Sequence, residues 1–507
     1  IVKQLEMLTN IYFLLLEIFL TITSVILLGY GVVLVKFDKK RSQINKLTNL
    51  TSLSFFFAGL LLIDQLGYSD KISISNGLLI SDQSIVFIKL ILVLTSGIIL
   101  LLPNKLKDFE FSQLVLLSLL GMMILISSND LIMIYLGIEL MSLSFYVLAS
   151  INRDTQHSTE AGIKYFLLGA LSSGLLLFGM ALLYAYTGET NLEALSLVIW
   201  YGNSEEVLLG SLFLCIALLF KLAAAPFHMW LPDVYDGAPT SVTAFFAIVP
   251  KIAIITTVIN LLSNTFLALY DKLQPIFIIC AILSLLVGAI GAINQNKPKR
   301  LLSYSAISHI GFILIGIIPL SLYSLQATFV YIILYIIMSI NTFTIILNFP
   351  GYFYVTQFSG LSKINPVLAL TFTFTLLSIA GIPPLAGFFS KYLILLNAVN
   401  NEFYLLSFIA VMTSAISTFY YLRLIKWFFF ADSSVYFYKN LADALHPNYK
   451  PINVNFNSSI ILGITLWIIL TSLSEPNNIS EESVPSSKLW FAINVPASEP
   501  SIVKKVV

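Results

Sequence analysis

The chain has 507 residues, of which 58% are hydrophobic and 10% charged, with a formal net charge of +1 and a mean hydropathy of +0.91. Soluble chains carry about 25% charged residues, so this composition excludes a soluble enzyme and predicts a polytopic membrane protein. The near-neutral balance gives no footing for a nucleic-acid partner.

A membrane helix needs about 20 apolar residues, and on that rule about fourteen segments are predicted. They lie near 11–35, 47–66, 85–103, 111–127, 129–150, 160–187, 207–236, 241–263, 274–295, 301–320, 326–348, 366–398, 402–430 and 457–474. The fold class expected is all-α. Between the second and third segments, "SISNGLLIS" carries the Asn-Gly signal of a hairpin within 67–84, with an irregular loop as the alternative.

Basic residues set the orientation. They follow the first segment as "KFDKKR", the third as "NKLKD", the fifth as "NRD" and the ninth as "NKPKR". Lys363 follows the eleventh, and Lys439 and Lys450 follow the thirteenth. The alternate connections are poor in Lys and Arg; the one after the sixth holds Glu189, Glu193, Glu205 and Glu206. Odd-numbered connections therefore face the inner compartment. Both termini, with the polar tail from Ser474, face outward.

Cys215 and Cys280 lie in separate apolar runs and form no CxxC pair, which excludes a zinc or iron–sulfur motif. Neither a dinucleotide fingerprint nor a P-loop occurs. No cofactor, metal or catalytic residue is therefore expected in this chain. The opening lacks the Arg- and Ser-rich pattern of a transit peptide. Heavy use of Phe, Leu and Ile matches an AT-rich organellar gene.

A charge at bilayer depth costs about 2.5–3.5 kcal/mol and marks function by default. Glu139 stands ten residues past Asn129, roughly 15 Å along a helix. Lys221, Lys251 and Lys391 stand in apolar runs. Lys164 lies early in the sixth segment, where snorkelling to the interface is the alternative. His309 and His228 could also be packed or interfacial histidines. Glu17 reads as a helix–helix or partner contact, and Asp64 as a solvated end. Together these titratable groups form a string suited to a proton relay.

Two segments are broken by proline. Pro226 follows Lys221 in "LLFKLAAAPFHMWLPDVYDGAPT", and Pro383 and Pro384 precede Lys391 in "AGIPPLAGFFSKYLI". Proline removes a backbone donor and clashes with the preceding turn. The freed carbonyls need water or polar groups, because lipid offers none. Both breaks are thus expected to be wet sites inside the bundle. Their spacing, five segments apart, predicts two inverted five-helix repeats, segments 4–8 and 9–13, with segments 7 and 12 broken. The domains follow as 1–110, 111–263, 264–430 and 431–507.

With "STEAGIKYFLLGALSSGLLLFG" and "KRLLSYSAISHIGF", these motifs resemble the antiporter-like membrane subunits of proton-pumping NADH:quinone oxidoreductase, respiratory complex I, over about 111–430. Within that family Lys391 matches the subunit type with lysine where its sisters carry a carboxylate. The resemblance implies that Glu139 and Lys221 form a charge pair, that Lys251 bridges the two halves, and that Lys391 sits toward the outlet. Lys164 and His309 match polar positions of the halves. It also implies outward proton transport driven by partners that hold NADH, FMN, iron–sulfur clusters and ubiquinone. The partners implied are other membrane-arm subunits, neighbouring antiporter-like subunits among them, and membrane lipids. The location implied is the mitochondrial inner membrane, or alternatively a bacterial plasma membrane. A related cation/proton antiporter and a scaffold subunit that moves no ion are the competing readings.

Overall fold

The computed structural model describes residues 2–37, 41–67, 71–103, 109–202, 204–349, 353–430 and 454–471. Lys439, Lys450, the tail from Ser474, the whole of "NKLKD" and the centre of "KFDKKR" lie outside them. Among the described residues, eleven helices are long and apolar enough to cross a membrane.

Helices α1 (Val2–Phe37), α2 (Arg41–Gln65) and α3 (Gln83–Leu101) come first. Strands β1 (Ile72–Ile74) and β2 (Leu79–Ser81) between α2 and α3 form the expected antiparallel hairpin, with Ile72 opposite Ser81. Its turn carries Ser75, Asn76 and Gly77 at positive φ, the conformation that Asn and Gly tolerate. Asn129 and Asn191 both donate to the Gly77 carbonyl, pinning the hairpin to two later connections.

Helices α4 (Glu110–Ser127), α5 (Leu131–Ala149) and α6 (Gln156–Thr187) follow. A short helix not foreseen in the sequence, α7 (Leu192–Tyr201), occupies the acidic connection after α6 and is capped by Asn191. The seventh predicted segment is two pieces, α8 (Ser204–Leu222) and α9 (Trp230–Gly237). Helix α10 (Thr240–Asn260) continues into a π-helical turn, Leu261–Thr265.

The second half comprises α11 (Tyr270–Ile293), α12 (Pro298–Ile317), α13 (Leu322–Asn348) and the short α14 (Leu361–Ile364). The twelfth predicted segment is again two pieces, α15 (Pro366–Ala380) and α16 (Ala386–Asn400), followed by α17 (Tyr404–Phe429) and α18 (Phe456–Thr471).

Close packing depends on small residues, as it must where lipid gives helices no hydrophobic reason to associate. A Cβ at Gly121 of α4 would meet the Gly137 carbonyl of α5 at 2.8 Å, and one at Gly179 of α6 would meet the Gly210 carbonyl of α8 at 2.8 Å. Helix α10 is apolar nearly all round and is buried at every position from Ser241 to Ile259. It is the centre of the bundle. By contrast α1, α5, α6 and α17 expose apolar stripes, such as Val25 and Ile26 on α1 and Phe408 and Phe419 on α17. Asn341 donates to Thr465 at 2.8 Å, fixing α18 against α13.

Candidate functional site: a row of lysines through the bundle

Lys221 lies in the last turn of α8, and its helix ends there because Ala223 turns to φ +60° before Pro226. The freed carbonyl of Phe220 is taken by protein donors. Trp230 Nε1 donates to it at 3.0 Å and the Ala223 amide at 2.9 Å. Stacking on Tyr165, with ring centroids 4.8 Å apart, fixes the Trp230 indole. The Lys221 ammonium is therefore free to face α5, where it donates to Tyr146 Oη at 3.3 Å.

Glu139 and Lys221 do not form a direct ion pair among the described residues. Tyr146 and Ser142 stand between them. Glu139, Ser142 and Tyr146 are spaced by three and four residues, so they share one face of α5. Ser142 lies 3.5 Å from Glu139 Oε2, while Oε1 has no partner. Glu139 is half-buried rather than buried, because it borders the outward stripe of Ile132, Leu136, Leu143 and Val147.

Lys251, in the middle of α10, donates to Tyr335 Oη of α13 at 2.9 Å and lies 4.9 Å from its ring centroid. An enclosed cavity of about 20 Å³ joins it to Lys221, lined also by Ser142 and Tyr235. The Tyr235 hydroxyl is buried without a partner. A space of this size with several polar walls holds one water.

His309 is buried on α12. Its Nδ1 lies 2.6 Å from Tyr331 Oη, and its ring centroid is 5.1 Å from that of Tyr335. A second cavity of about 20 Å³ is lined by His309, Tyr335, Ser305, Ser339 and Thr342. Beyond it Lys391 of α16 donates to the carbonyls of Ile379 and Ala380, at 3.1 and 2.8 Å. These are carbonyls freed by the end of α15. Gly381, at φ +87°, lets the chain turn there.

Two expectations need correction. Lys164 is not in the buried row; its side chain is 43% exposed and pairs with Glu160 at 2.7 Å and Asp233 at 2.9 Å. Its position near the start of α6 lets the ammonium reach these carboxylates. His228 stands in the first break, half-exposed, its Nδ1 without a partner and outside the row. The prolines Pro226, Pro383 and Pro384 are exposed on the bundle surface, so the breaks turn lysines inward and prolines outward. Trp230 closes the carbonyl of Phe220, and Lys391 closes those of Ile379 and Ala380.

Sequence reading missed Tyr146, Tyr335, Tyr331 and Trp230. The chain has 24 tyrosines, and none is marked until a lysine from another helix meets it. It also missed Lys89, which pairs with Glu17 in a buried bridge between α3 and α1, giving Glu17 its helix–helix contact. Among the described residues no cluster of three or more His, Cys, Asp or Glu could hold a metal.

A row of buried lysines, two of them donating to tyrosine hydroxyls, strung between two broken helices in a helical bundle, defines an antiporter-like membrane subunit. Residues 128–417 match the family described as NADH:quinone oxidoreductase/Mrp antiporter, TM. The chain is 41% identical to NADH-quinone oxidoreductase subunit N of Pelagibacter ubique, over 89% of this chain and 96% of that one. It is 39% identical to NADH-ubiquinone oxidoreductase chain 2 of Marchantia polymorpha, over 89% and 93%. Among solved structures, a chain of respiratory complex I from Thermus thermophilus superposes with a TM-score of 0.76 at 28% identity, covering 92% of this chain and 98% of that one. The chain belongs to the subunit N, or chain 2, family of proton-translocating NADH:quinone oxidoreductases.

Proposed function

We propose that this chain carries protons outward across the membrane through Glu139, Ser142, Tyr146, Lys221, Lys251, Tyr335, His309 and Lys391. Partner subunits oxidise NADH and reduce ubiquinone, and hold the FMN and iron–sulfur clusters. The observation that carries the reading is the row of buried lysines from α8 to α16, Lys221 and Lys251 each donating to a tyrosine hydroxyl and Lys391 to backbone carbonyls, with water-sized cavities at two of its joints.

Protons reach the row from the inner side. An open groove of about 980 Å³ is lined by Asn152, Arg153 and Thr155 and also by Tyr146, whose hydroxyl receives Lys221. Glu139, at the bundle surface, faces a neighbouring membrane-arm subunit. Ser142 and Tyr146 lie on its face of α5, and Tyr146 is the hydroxyl that receives Lys221. When a charge in the neighbour draws the carboxylate away, the proton passes from Lys221 through the shared cavity to Lys251.

The units carrying this relay are two inverted repeats, residues 111–263 and 264–430, within a fold of about fourteen crossings. The basic connections face the matrix of a mitochondrial inner membrane, or the cytoplasm if the membrane is bacterial, and both termini face outward.

The test is proton yield per NADH in assembled complexes. Glu139→Gln and Lys221→Ala lose this chain's share of the yield. Lys221→Arg restores it poorly, because arginine does not release its proton. Tyr146→Phe lowers it without abolishing it, since the 3.3 Å contact is weak and water can bridge. Normal yield in both Glu139→Gln and Lys221→Ala removes the relay and favours a scaffold. Proton flux that persists without NADH oxidation favours a cation/proton antiporter.

A further inference from the structure

Helix α9 has eight residues, about 12 Å of rise. A helix this short is marginal by itself, so its place is set by what it touches. One side of it, Trp230, Leu231 and Tyr235, lines the cavity between Lys221 and Lys251. The other side carries Asp233 and Asp236, which stand outside that lining.

The charged side meets the start of α12, where Lys297, Lys299 and Arg300 fall within four residues. Arg300 Nη2 lies 3.2 Å from Asp233 Oδ1, and Lys297 Nζ lies 2.8 Å from Asp236 Oδ2. Lys299 donates to the carbonyl of Ala238, the C-cap of α9, at 2.7 Å. The second oxygen of Asp233, Oδ2, accepts from Lys164 of α6 at 2.9 Å. This one carboxylate therefore joins a cation of the first half to a cation of the second.

Both anchors are themselves fixed. In the connection before α12, the carbonyls of Ile293 and Gln295 accept from Arg423 of α17, each at 2.6 Å. The Asn296 carbonyl accepts from the Val355 amide at 2.8 Å. On the α6 side, a Cβ at Gly237 would run into the His157 carbonyl and Ala161. Trp230 stacks on Tyr165, the residue after Lys164. A single exposed ion pair contributes little, but these are partly buried and all act on one short helix.

We propose that Asp233 is a positioning residue for proton transfer between Lys221 and Lys251, and that Arg300 holds it in place from the second half. The inference rests on the relay proposed above. Held between α6 and α12, α9 presents Trp230 and Tyr235 to the shared cavity. The Trp230 indole then reaches the Phe220 carbonyl, and Lys221 keeps its hydrogen bond to Tyr146. Without the Asp233 carboxylate α9 loses its tie to both halves. The walls of a space that fits one water then shift, and small misplacements at a transfer step are costly.

The experiment measures protons pumped per NADH in assembled complexes carrying Asp233→Asn, Arg300→Gln or Arg300→Lys, with Lys221→Ala for comparison. Asp233→Asn is expected to lose the share of the yield that Lys221→Ala loses, and Arg300→Gln part of it. Arg300→Lys keeps the yield, because the pair rests on one N···O contact that an ammonium can make. Asp233→Asn added to Lys221→Ala brings no further loss, since both act at one joint, whereas an independent fold defect would add to it. Unchanged yield in Asp233→Asn and Arg300→Gln, with yield lost in Lys221→Ala, overturns the positioning role and leaves the relay standing. A further loss in the double variant also overturns it, and so do equal losses in Arg300→Lys and Arg300→Gln. Should Asp233→Asn block assembly, the two Arg300 variants decide by the same criterion. Yield kept in Lys221→Ala removes the relay and this inference with it.

Discussion

The two broken helices look alike in sequence and differ in how they satisfy the same deficit. At the first, the orphaned carbonyl of Phe220 is closed by the neutral indole of Trp230, and Lys221 is left to face a tyrosine. At the second, Lys391 itself closes the carbonyls of Ile379 and Ala380. One lysine is held by a single long hydrogen bond and the other by two backbone oxygens. The first break therefore suits proton transfer with little structural cost, while the second ties the charge of its lysine to the integrity of the fold.

Removing each lysine gives the largest test of that contrast. Lys391→Ala leaves two buried carbonyls without their donor, at about 1–3 kcal/mol each. It should lower the thermal midpoint of the assembled complex as well as its proton yield. Lys221→Ala should lower the yield with little change in midpoint, since Trp230 still serves Phe220. Equal midpoints for the two variants would erase the distinction.

Trp230→Phe comes next. It keeps an aromatic ring against Tyr165 but removes the indole N–H, leaving the Phe220 carbonyl short of one donor. The expected loss is about 1–2 kcal/mol, read as a lower midpoint, and the first break then behaves more like the second.

The smallest effects come from the turning residues. Gly381→Ala adds a Cβ that would meet Lys391 Cδ at 2.9 Å at a left-handed position, and should destabilise by about 1–2 kcal/mol. Ala223 already occupies such a position, at φ +60°. Ala223→Gly should therefore stabilise, by at most about 1 kcal/mol. Thermal unfolding of the two variants in parallel checks the opposite signs.

The hairpin shows how far local sequence reaches. Asn76-Gly77 favours positive φ whatever surrounds it, so the turn was legible. The ends of α8 and α15 were legible for the same kind of reason, since proline stops a helix by its own covalent structure. The helix α7 was hidden, because its Glu193 and its ten-residue length mask an apolar face that only packing reveals. Lys164 misled because a lysine in an apolar run is indistinguishable from a buried one until Asp233, from a distant stretch, is seen beside it.

The sequence by itself determined that the chain is a helical membrane protein, where its helices run and break, and which charges enter the apolar segments. These follow from hydropathy, from proline and from the cost of a charge in hydrocarbon, each a property of a short stretch. Only the tertiary structure decided what each charge faces. Tyr146 rather than Glu139 receives Lys221, Tyr335 receives Lys251, and two carbonyls receive Lys391. Partners such as Lys251 and Tyr335 are 84 residues apart in the chain. What joins them is the packing of α10 against α13, and no local pattern encodes that meeting.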